Sequence, residues 1–145
     1  MGCAKRFLED SPLTRIVAVE PVGSVIFGNA PERRLIPGIG SSRCPELLQT
    51  HLVPHVVVVS EEQTIRLCHE VAGEHGLIVG GSTGSVLAAI RLMNDEIWPG
   101  ASVVAVSADF GDKYLDTVFD RDWVLQNFGF EPQHHASLRA LAPVA

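Results

Sequence analysis

The sequence reads GLIVGGSTGS over residues 76–85 and continues as the apolar run VLAAI over residues 86–90. Four glycines and three hydroxyl side chains therefore lead into a helical pattern. Glycine lets the backbone approach a ligand closely, and the N-terminus of a helix carries a partial positive charge. The stretch predicts either a site for a small ligand or a glycine-rich turn that packs a helix closely against a sheet.

Composition narrows the class of protein. The chain has 145 residues, of which 46% are hydrophobic and 19% charged, and these values indicate one globular domain. The formal net charge of -6 and the lack of a run of Lys or Arg argue against a nucleic-acid partner. No stretch approaches the roughly 18 apolar residues of a membrane span, and no signal peptide is visible. We therefore predict a soluble, cytoplasmic protein that binds no membrane.

The cysteines show no pattern typical of a disulfide framework or a metal site. Cys3, Cys44 and Cys68 are odd in number and far apart. Cys68 falls on the apolar face of a predicted helix, so core packing is its expected role.

The histidines also lack the spacing of metal ligands. His51 and His55 are four residues apart, but Pro54 between them breaks the helix that such a pair would need. A second pair, His134 and His135, lies in a tail without partner ligands. We predict no metal site.

Short apolar runs that alternate with helical patterns define the predicted fold. Strands are predicted over residues 15–20, 56–59 and 102–107, and helices over residues 1–10, 60–75, 83–95 and 122–129. Ser60 and Gln63 form a capping box at the start of the second helix, and Gly76 closes that helix. Wholly apolar strands between helices are typical of a parallel sheet covered on both faces. We therefore predict an α/β fold with a mainly parallel sheet and flanking helices.

Two loops are candidates for the ligand site, because ligands of parallel sheets bind at the carboxyl ends of the strands. The Gly- and Pro-rich loop over residues 21–45 and the loop after Ser107 both leave such ends, and so long a loop is uncommon without a function.

The glycine-rich stretch lacks the lysine of a Walker loop and is not a dinucleotide fingerprint. We interpret the Asp-Phe-Gly triplet at residues 109–111 as a coincidental match to protein kinases.

The order of the segments resembles that of a known family. A strand ends in Val-Glu-Pro at residues 19–21, a loop carries Gly-Ile-Gly at 38–40, and EHGLIVGGSTGS follows a capped helix at 74–85. The segment DFGDKYL follows at 109–115. Over residues 1–128, this order and spacing are similar to the C-terminal half of the fold-type II pyridoxal-phosphate enzymes, the cysteine synthase and cystathionine β-synthase family.

The resemblance implies the C-terminal part of a tryptophan-synthase-β-like fold over residues 1–130, followed by a tail over 131–145. GSVIFG at 23–28, RRLIPGIGSSR at 33–43 and DKYLDTVF at 112–119 resemble the branch that makes 2,3-diaminopropionate. Enzymes of this branch, the N-(2-amino-2-carboxyethyl)-L-glutamate synthases, join O-phospho-L-serine to L-glutamate for siderophore or antibiotic precursors. The resemblance thus implies this reaction, amino-acid substrates and a homodimer in the complete enzyme.

The resemblance places the cofactor at the start of the glycine-rich helix. In the family, the first serine of the Gly-Gly-Ser motif hydrogen-bonds the pyridine nitrogen of pyridoxal 5'-phosphate, which implies Ser82 and Gly81 as cofactor-binding residues. A neutral hydroxyl disfavours a protonated ring, whereas a carboxylate would stabilise one. The weaker electron sink suits elimination of a β-leaving group followed by addition of a nucleophile. A helix N-cap is the other role open to Ser82.

The Gly-Ile-Gly loop is implied to flank the substrate. Gly38, Gly40 and Ser41 are the expected substrate-binding residues, because glycine lets the backbone approach closely. Nearby arginines could attract a phosphoserine phosphate or a glutamate carboxylate. These arginines are Arg33, Arg34 and Arg43. An ordinary solvated basic cluster is an equally open interpretation of each of them.

No catalytic residue is predicted within the chain. Lys5 and Lys113 are the lysines present, and neither matches the Schiff-base lysine of the family. That lysine, the asparagine-containing substrate loop and the phosphate cradle all precede the point of the family pattern that matches Met1, where the first helix begins without a cap. We therefore expect the chain to begin just after the phosphate cradle, to be inactive alone and to hold the cofactor only in a complete enzyme.

Three alternatives remain open. The complete enzyme could be cysteine synthase-like, with O-acetylserine or O-phosphoserine as its substrate. The chain could instead be a non-catalytic α/β module that binds a small metabolite or a partner through the glycine-rich face. It could also be a separately encoded half that assembles with an N-terminal chain.

Overall fold

The computed structural model describes residues 1–132, where the chain forms four α-helices and two β-strands. They are α1 (Gly2–Asp10), β1 (Val17–Pro21), β2 (His55–Val59), α2 (Glu61–His75), α3 (Gly81–Leu92) and α4 (Arg121–Phe128). Short 3-10 turns lie at Thr50–Leu52, Asn94–Glu96 and Gly111–Tyr114. The predicted helices are confirmed, with ends shifted by at most three residues. The histidine pair at 134–135 and residues 133–145 of the predicted tail lie outside the described residues.

Strands β1 and β2 form a parallel sheet in which Val17 pairs with His55 and Pro21 with Val59. Val17 and Val19 lie in β1, and four consecutive valines follow His55 in β2, and such β-branched side chains favour extended strands. Helix α3 packs on both strands, and α2 packs on α3. The predicted α/β fold, with parallel strands and flanking helices, is confirmed.

The predicted third strand, over residues 102–107, is wrong. This segment belongs to no strand, and Val104 and Val106 are 92% and 76% exposed. Its β-branched composition favours an extended chain, but a strand also needs a neighbour whose N–H and C=O groups pair with its own. Within residues 1–132, no segment supplies that neighbour. The isolated β-bridge between Val79 and Phe110 lies just after this segment and does not include it.

Helix α2 begins and ends as the sequence predicts. The Ser60 hydroxyl accepts a hydrogen bond from the Gln63 N–H at 3.1 Å, and the Gln63 side chain accepts one from the Ser60 N–H at 2.9 Å. Gly76 ends the helix with a φ of 66°, a left-handed conformation that favours glycine. Local signals alone therefore fix both ends of α2.

Helices α2 and α3 pack closely because position 84 has no side chain. A β-carbon at Gly84 would overlap the sulfur of Cys68 and lie 2.6 Å from the carbonyl oxygen of Thr64. The hydroxyls of Thr64 and Ser85 share a buried hydrogen bond of 2.7 Å beside this contact. Gly84 thus serves close packing, which is one of the two interpretations of the glycine-rich stretch.

Cys68 is fully buried, as predicted for a core residue, whereas Cys3 and Cys44 are exposed. Burial raises the pKa of the Cys68 thiol from 9.0 to about 12. We expect a thiol reagent at neutral pH to modify Cys3 and Cys44 in the native protein, and Cys68 only after unfolding. A spectrophotometric thiol titration in buffer and in denaturant measures this, and equal reaction rates for all three native thiols would contradict the packing.

Two absences hold for the part of the chain that the structure describes. No helix within residues 1–132 has both the length and the apolar character needed to cross a bilayer. No group of three or more His, Cys, Asp or Glu side chains in the same range is arranged to hold a metal ion.

Candidate functional site

Three segments of the chain meet at the start of α3. A β-carbon at Gly81 would overlap the side chain of Ile36, from the long loop after β1, and would lie 4.0 Å from the ring of Tyr114. The hydroxyl of Thr83 hydrogen-bonds that of Ser107 at 2.9 Å. Both candidate loops therefore adjoin the glycine-rich stretch.

Ser82 is the second residue of α3 and is partly exposed. Gly80, and not Ser82, occupies the N-cap position, and no side chain caps this helix. Within residues 1–132, the Ser82 hydroxyl makes no hydrogen bond. The first N–H groups of a helix have no intrahelical partners, so the Ser82 hydroxyl lies beside a positively polarised helix end. Because it has no hydrogen bond within the described residues, this hydroxyl is available to a ligand.

The predicted substrate loop turns through two glycines with positive φ, 91° at Gly38 and 74° at Gly40. A β-carbon at Gly40 would lie 2.8 Å from the side chain of Ser24, so close packing requires glycine there. The Ser41 N–H donates to the buried Ser24 hydroxyl at 3.0 Å, and that hydroxyl donates to the Ser41 carbonyl at 3.3 Å. Gly38 is exposed, which leaves its peptide groups open to a ligand.

A carboxylate anchors the middle of this loop. The Glu61 carboxylate, in the first turn of α2, accepts hydrogen bonds from the N–H groups of Leu35 and Ile36 at 2.7 and 2.6 Å. Hydrogen bonds to a charged acceptor are roughly twice as strong as neutral ones. The anchor fixes Ile36, which in turn packs on Gly81.

A second carboxylate anchors the beginning of the loop. Glu20 at the end of β1 is 1% exposed and accepts hydrogen bonds from the Phe27 N–H at 3.2 Å and the Asn29 side-chain amide at 2.5 Å. The buried charge is thereby satisfied by two donors. Neither role was predicted from the sequence, because hydrogen bonds between a carboxylate and partners seven to 26 residues away follow no local pattern.

The three arginines of the loop differ in their surroundings. Arg34 donates to the Ile39 carbonyl at 3.3 Å and to the Ser42 hydroxyl at 3.0 Å. These hydrogen bonds join two parts of the same loop, so Arg34 stabilises the loop's conformation. Arg33 and Arg43 are exposed, and Arg43 lies 3.3 Å from the carboxylate of Glu46. Arg33 and Arg43 are therefore the loop arginines that are exposed to solvent, and Arg43 is paired with Glu46.

Comparison with known proteins identifies the family. The model of the pyridoxal-phosphate dependent enzyme family matches residues 1–109. The chain belongs to this family.

Solved structures agree with that family. The chain is similar to O-acetylserine dependent cystathionine beta-synthase from Helicobacter pylori, with 28% identity and a TM-score of 0.73 over 80% of this chain. Two structures of O-ureido-L-serine synthase, one a mutant with O-ureido-L-serine bound, share the fold at 24% identity, with TM-scores of 0.76 and 0.75 over 83% and 82% of this chain. The chain spans 38% or 39% of the length of these solved chains.

The residues at the start of α3 fit the cofactor of the pyridoxal-phosphate dependent enzymes. Ser82 presents a neutral hydroxyl that no other described residue engages. A neutral hydroxyl donates a hydrogen bond to an unprotonated pyridine nitrogen without stabilising a positive charge on the ring. The chemistry of this donor therefore suits the ring of pyridoxal phosphate.

Both lysines of this family member are exposed and lie away from Ser82 in sequence. Lys5 is on α1, and the Lys113 ammonium group lies 3.9 Å from the Asp109 carboxylate with a side chain that is 68% exposed. A Schiff-base lysine needs a partly desolvated position, so neither environment matches that role.

Asp109 and Tyr114 also border the site, and the sequence analysis missed them. The Tyr114 hydroxyl donates to the Asp109 carboxylate at 3.1 Å, and the Tyr114 ring adjoins Gly81. Both residues belong to the segment DFGDKY, whose first triplet was interpreted as a coincidence. The same segment contributed to the family resemblance, and this was the signal that could have identified them.

Proposed function

We propose that the chain supplies the ring-binding serine and the substrate loop of a pyridoxal-phosphate dependent synthase that joins O-phospho-L-serine to L-glutamate on the route to 2,3-diaminopropionate. The supporting observation is the charge of the loop. In a chain with a net charge of -6, the exposed Arg33 and Arg43 flank the Gly-Ile-Gly segment. Exposed guanidinium groups suit a phosphate leaving group and a dicarboxylate nucleophile.

Ser82 is proposed to orient the cofactor. When bound, pyridoxal phosphate supplies the electron sink that lets the phosphate leave the β-carbon and the amine nitrogen of glutamate form a bond there. The Ser82 hydroxyl would donate to the pyridine nitrogen, and Gly81 would keep the helix start close to the ring. Ser82 lies on a helix that packs on both strands, so its position is held by a rigid element.

The substrate loop is proposed to bind the amino-acid backbone. Gly38 and Gly40 are exposed, so their peptide groups are accessible to a carboxylate. The Ser41 hydroxyl donates to the Arg43 carbonyl at 2.7 Å and accepts from its N–H at 3.1 Å, which shapes the turn beside the substrate.

The complete enzyme is proposed to be a cytoplasmic homodimer.

A cysteine synthase-like reaction is the second candidate. It is favoured by the solved structure at 28% identity, which is an O-acetylserine dependent cystathionine beta-synthase. The two candidates differ in the leaving group, because acetate from O-acetylserine carries one negative charge, whereas phosphate from O-phosphoserine carries nearly two.

The test uses a completed enzyme, in which these residues follow the N-terminal portion of a diaminopropionate-branch synthase. We expect glutamate-dependent phosphate release from O-phospho-L-serine. The double variant Arg33→Gln/Arg43→Gln should lower kcat/KM for O-phospho-L-serine by about tenfold, the scale of one charged hydrogen bond. It should leave kcat/KM for O-acetyl-L-serine unchanged when sulfide, which has no carboxylate, is the nucleophile.

The control is Arg121→Gln, because Arg121 pairs with Glu131 on the surface and does not belong to the loop. This variant should keep both activities. Faster turnover of O-acetyl-L-serine than of O-phospho-L-serine by the parent enzyme, with no effect of the double variant, would favour the second candidate.

A further inference from the structure

Asp109 and Tyr114 form a pair that the proposed function leaves without a role. The Tyr114 hydroxyl donates to Oδ2 of Asp109 at 3.1 Å, and Tyr114 is 6% exposed. Within the described residues, the other carboxylate oxygen, Oδ1, is buried and has no hydrogen-bond partner. A buried acceptor without a donor costs free energy, so its placement calls for a reason.

Asp109 is tied to the glycine-rich stretch by its backbone as well as its side chain. The Gly80 N–H donates to the Asp109 carbonyl at 3.1 Å, and the Gly111 N–H donates to the Ile78 carbonyl at 2.8 Å. A β-carbon at Gly80 would overlap Oδ1 of Asp109. The carboxylate therefore keeps a fixed position relative to the start of α3.

Tyr114 extends from this fixed point to the substrate loop. Its ring lies 4.0 Å from the place where a β-carbon of Gly81 would be, and its hydroxyl oxygen lies 3.5 Å from the corresponding place at Gly38. One side chain therefore lies beside both the proposed cofactor segment and the proposed substrate loop, and it shares a buried apolar cluster with Ile36 of that loop. Gly38 has a φ of 91°, a conformation that favours glycine, and the absence of a side chain there leaves room for the tyrosine hydroxyl.

We propose that Asp109 and Tyr114 are positioning residues, which hold the Gly38 loop at a fixed distance from Gly81 and Ser82. This spacing would align a bound substrate with the cofactor. The ring acts as the spacer, and the carboxylate fixes the direction of the hydroxyl. Neither side chain needs to touch the reacting atoms. The proposal rests on the proposed function for the role of the two segments, but the spacing itself is a property of the chain alone.

The first test measures whether the pair exists in solution. Tyr114 is the single tyrosine of the chain, so an ultraviolet absorbance titration reports its ionisation directly. Its pKa is raised, first by burial and then by the hydrogen bond to Asp109. Asp109→Asn should lower the titration midpoint, because the neutral amide no longer opposes the tyrosinate charge. Asp112→Asn, an exposed neighbour in the same turn, should leave the midpoint unchanged. If the midpoint is equal in Asp109→Asn and in the parent chain, Tyr114 and Asp109 are not hydrogen-bonded in solution, and the proposal fails.

The second test measures whether the pair holds the loop. In Tyr114→Phe, the loop amides that donate hydrogen bonds should exchange with deuterium about tenfold faster, the factor expected for loss of one buried hydrogen bond. These amides are Leu35, Ile36 and Ser41. The control is Thr64→Val, which also removes a buried hydrogen bond, in this case between the hydroxyls of Thr64 on α2 and Ser85 on α3. This variant should leave the exchange of the loop amides unchanged. Unchanged loop exchange in Tyr114→Phe, or an equal increase in Thr64→Val, would overturn the positioning role.

The third test separates this inference from the proposed function. In the completed enzyme, Tyr114→Phe should raise KM for the amino-acid substrate about tenfold while kcat changes little, because a loosened loop binds substrate less well before the reaction. A fall in kcat with unchanged KM would overturn the positioning role. Failure of the parent enzyme to use O-phospho-L-serine would overturn the proposed function, and the titration and exchange results would still decide the pair.

Discussion

Ser82→Asp is expected to lower glutamate-dependent phosphate release from O-phospho-L-serine in the completed enzyme by about a hundredfold, the scale of a misplaced charge at a reacting centre. A carboxylate at position 82 would hold a proton on the pyridine nitrogen, which the neutral hydroxyl does not. Folding should survive, because the N-terminus of α3 tolerates a negative charge. Steady-state phosphate release and thermal unfolding of parent and variant measure the two effects.

Two milder substitutions serve as controls for Ser82→Asp. Ser82→Thr keeps the hydroxyl and should retain most of the activity. Ser82→Ala removes one neutral hydrogen bond, worth about 0.5–1.5 kcal/mol, and should weaken cofactor binding modestly. If Ser82→Asp reacts at the parent rate, Ser82 does not contact the ring nitrogen.

Gly84→Ala is expected to lower the free energy of unfolding by about 3 kcal/mol, the scale of overpacking a tight core. Alanine is the better helix former by about 1 kcal/mol, so propensity alone predicts the opposite sign. The added methyl group would overlap the Cys68 sulfur and lie 2.6 Å from the Thr64 carbonyl oxygen, and a backbone atom in a helix cannot move aside. Urea unfolding followed by circular dichroism gives the difference.

The control for Gly84→Ala is Gly2→Ala, the same chemical change on a helix. A β-carbon at Gly2 would have no neighbour within 4 Å, so this variant should be neutral or slightly more stable. A Gly84→Ala protein as stable as the parent would show that α2 and α3 are not packed as closely as described.

Local signals predicted the parts of the fold that depend on local chemistry. The capping box of Ser60 and Gln63 and the left-handed Gly76 fix α2, and each acts within a few residues. The short apolar runs predicted β1 and β2, and the structure shows that these two strands pair with one another. The same composition at residues 102–107 failed, because no described segment lies beside it to complete the hydrogen bonds.

The candidate site was predictable only where one short segment carries the chemistry. Ser82 follows from a motif and its place at a helix start, and the structure puts both candidate loops beside that helix start. The anchors of the loop were not predictable, since Glu61 is separated by 26 and 25 residues from the amides it binds. Gly81 and Gly84, which suggested ligand approach, are also required by contacts with Ile36 and Cys68. A glycine-rich sequence does not distinguish these two uses, because both need the missing side chain.

Complementation tests the central claim most directly. The chain and the separately purified N-terminal portion of a diaminopropionate-branch synthase are assayed singly and mixed, with pyridoxal phosphate, O-phospho-L-serine and L-glutamate. The account predicts phosphate release from the mixture alone, because the lysines of this chain, Lys5 and Lys113, lie in exposed positions unsuited to a Schiff base. Turnover by the chain without its complement, abolished by Lys5→Ala or Lys113→Ala, would contradict the account.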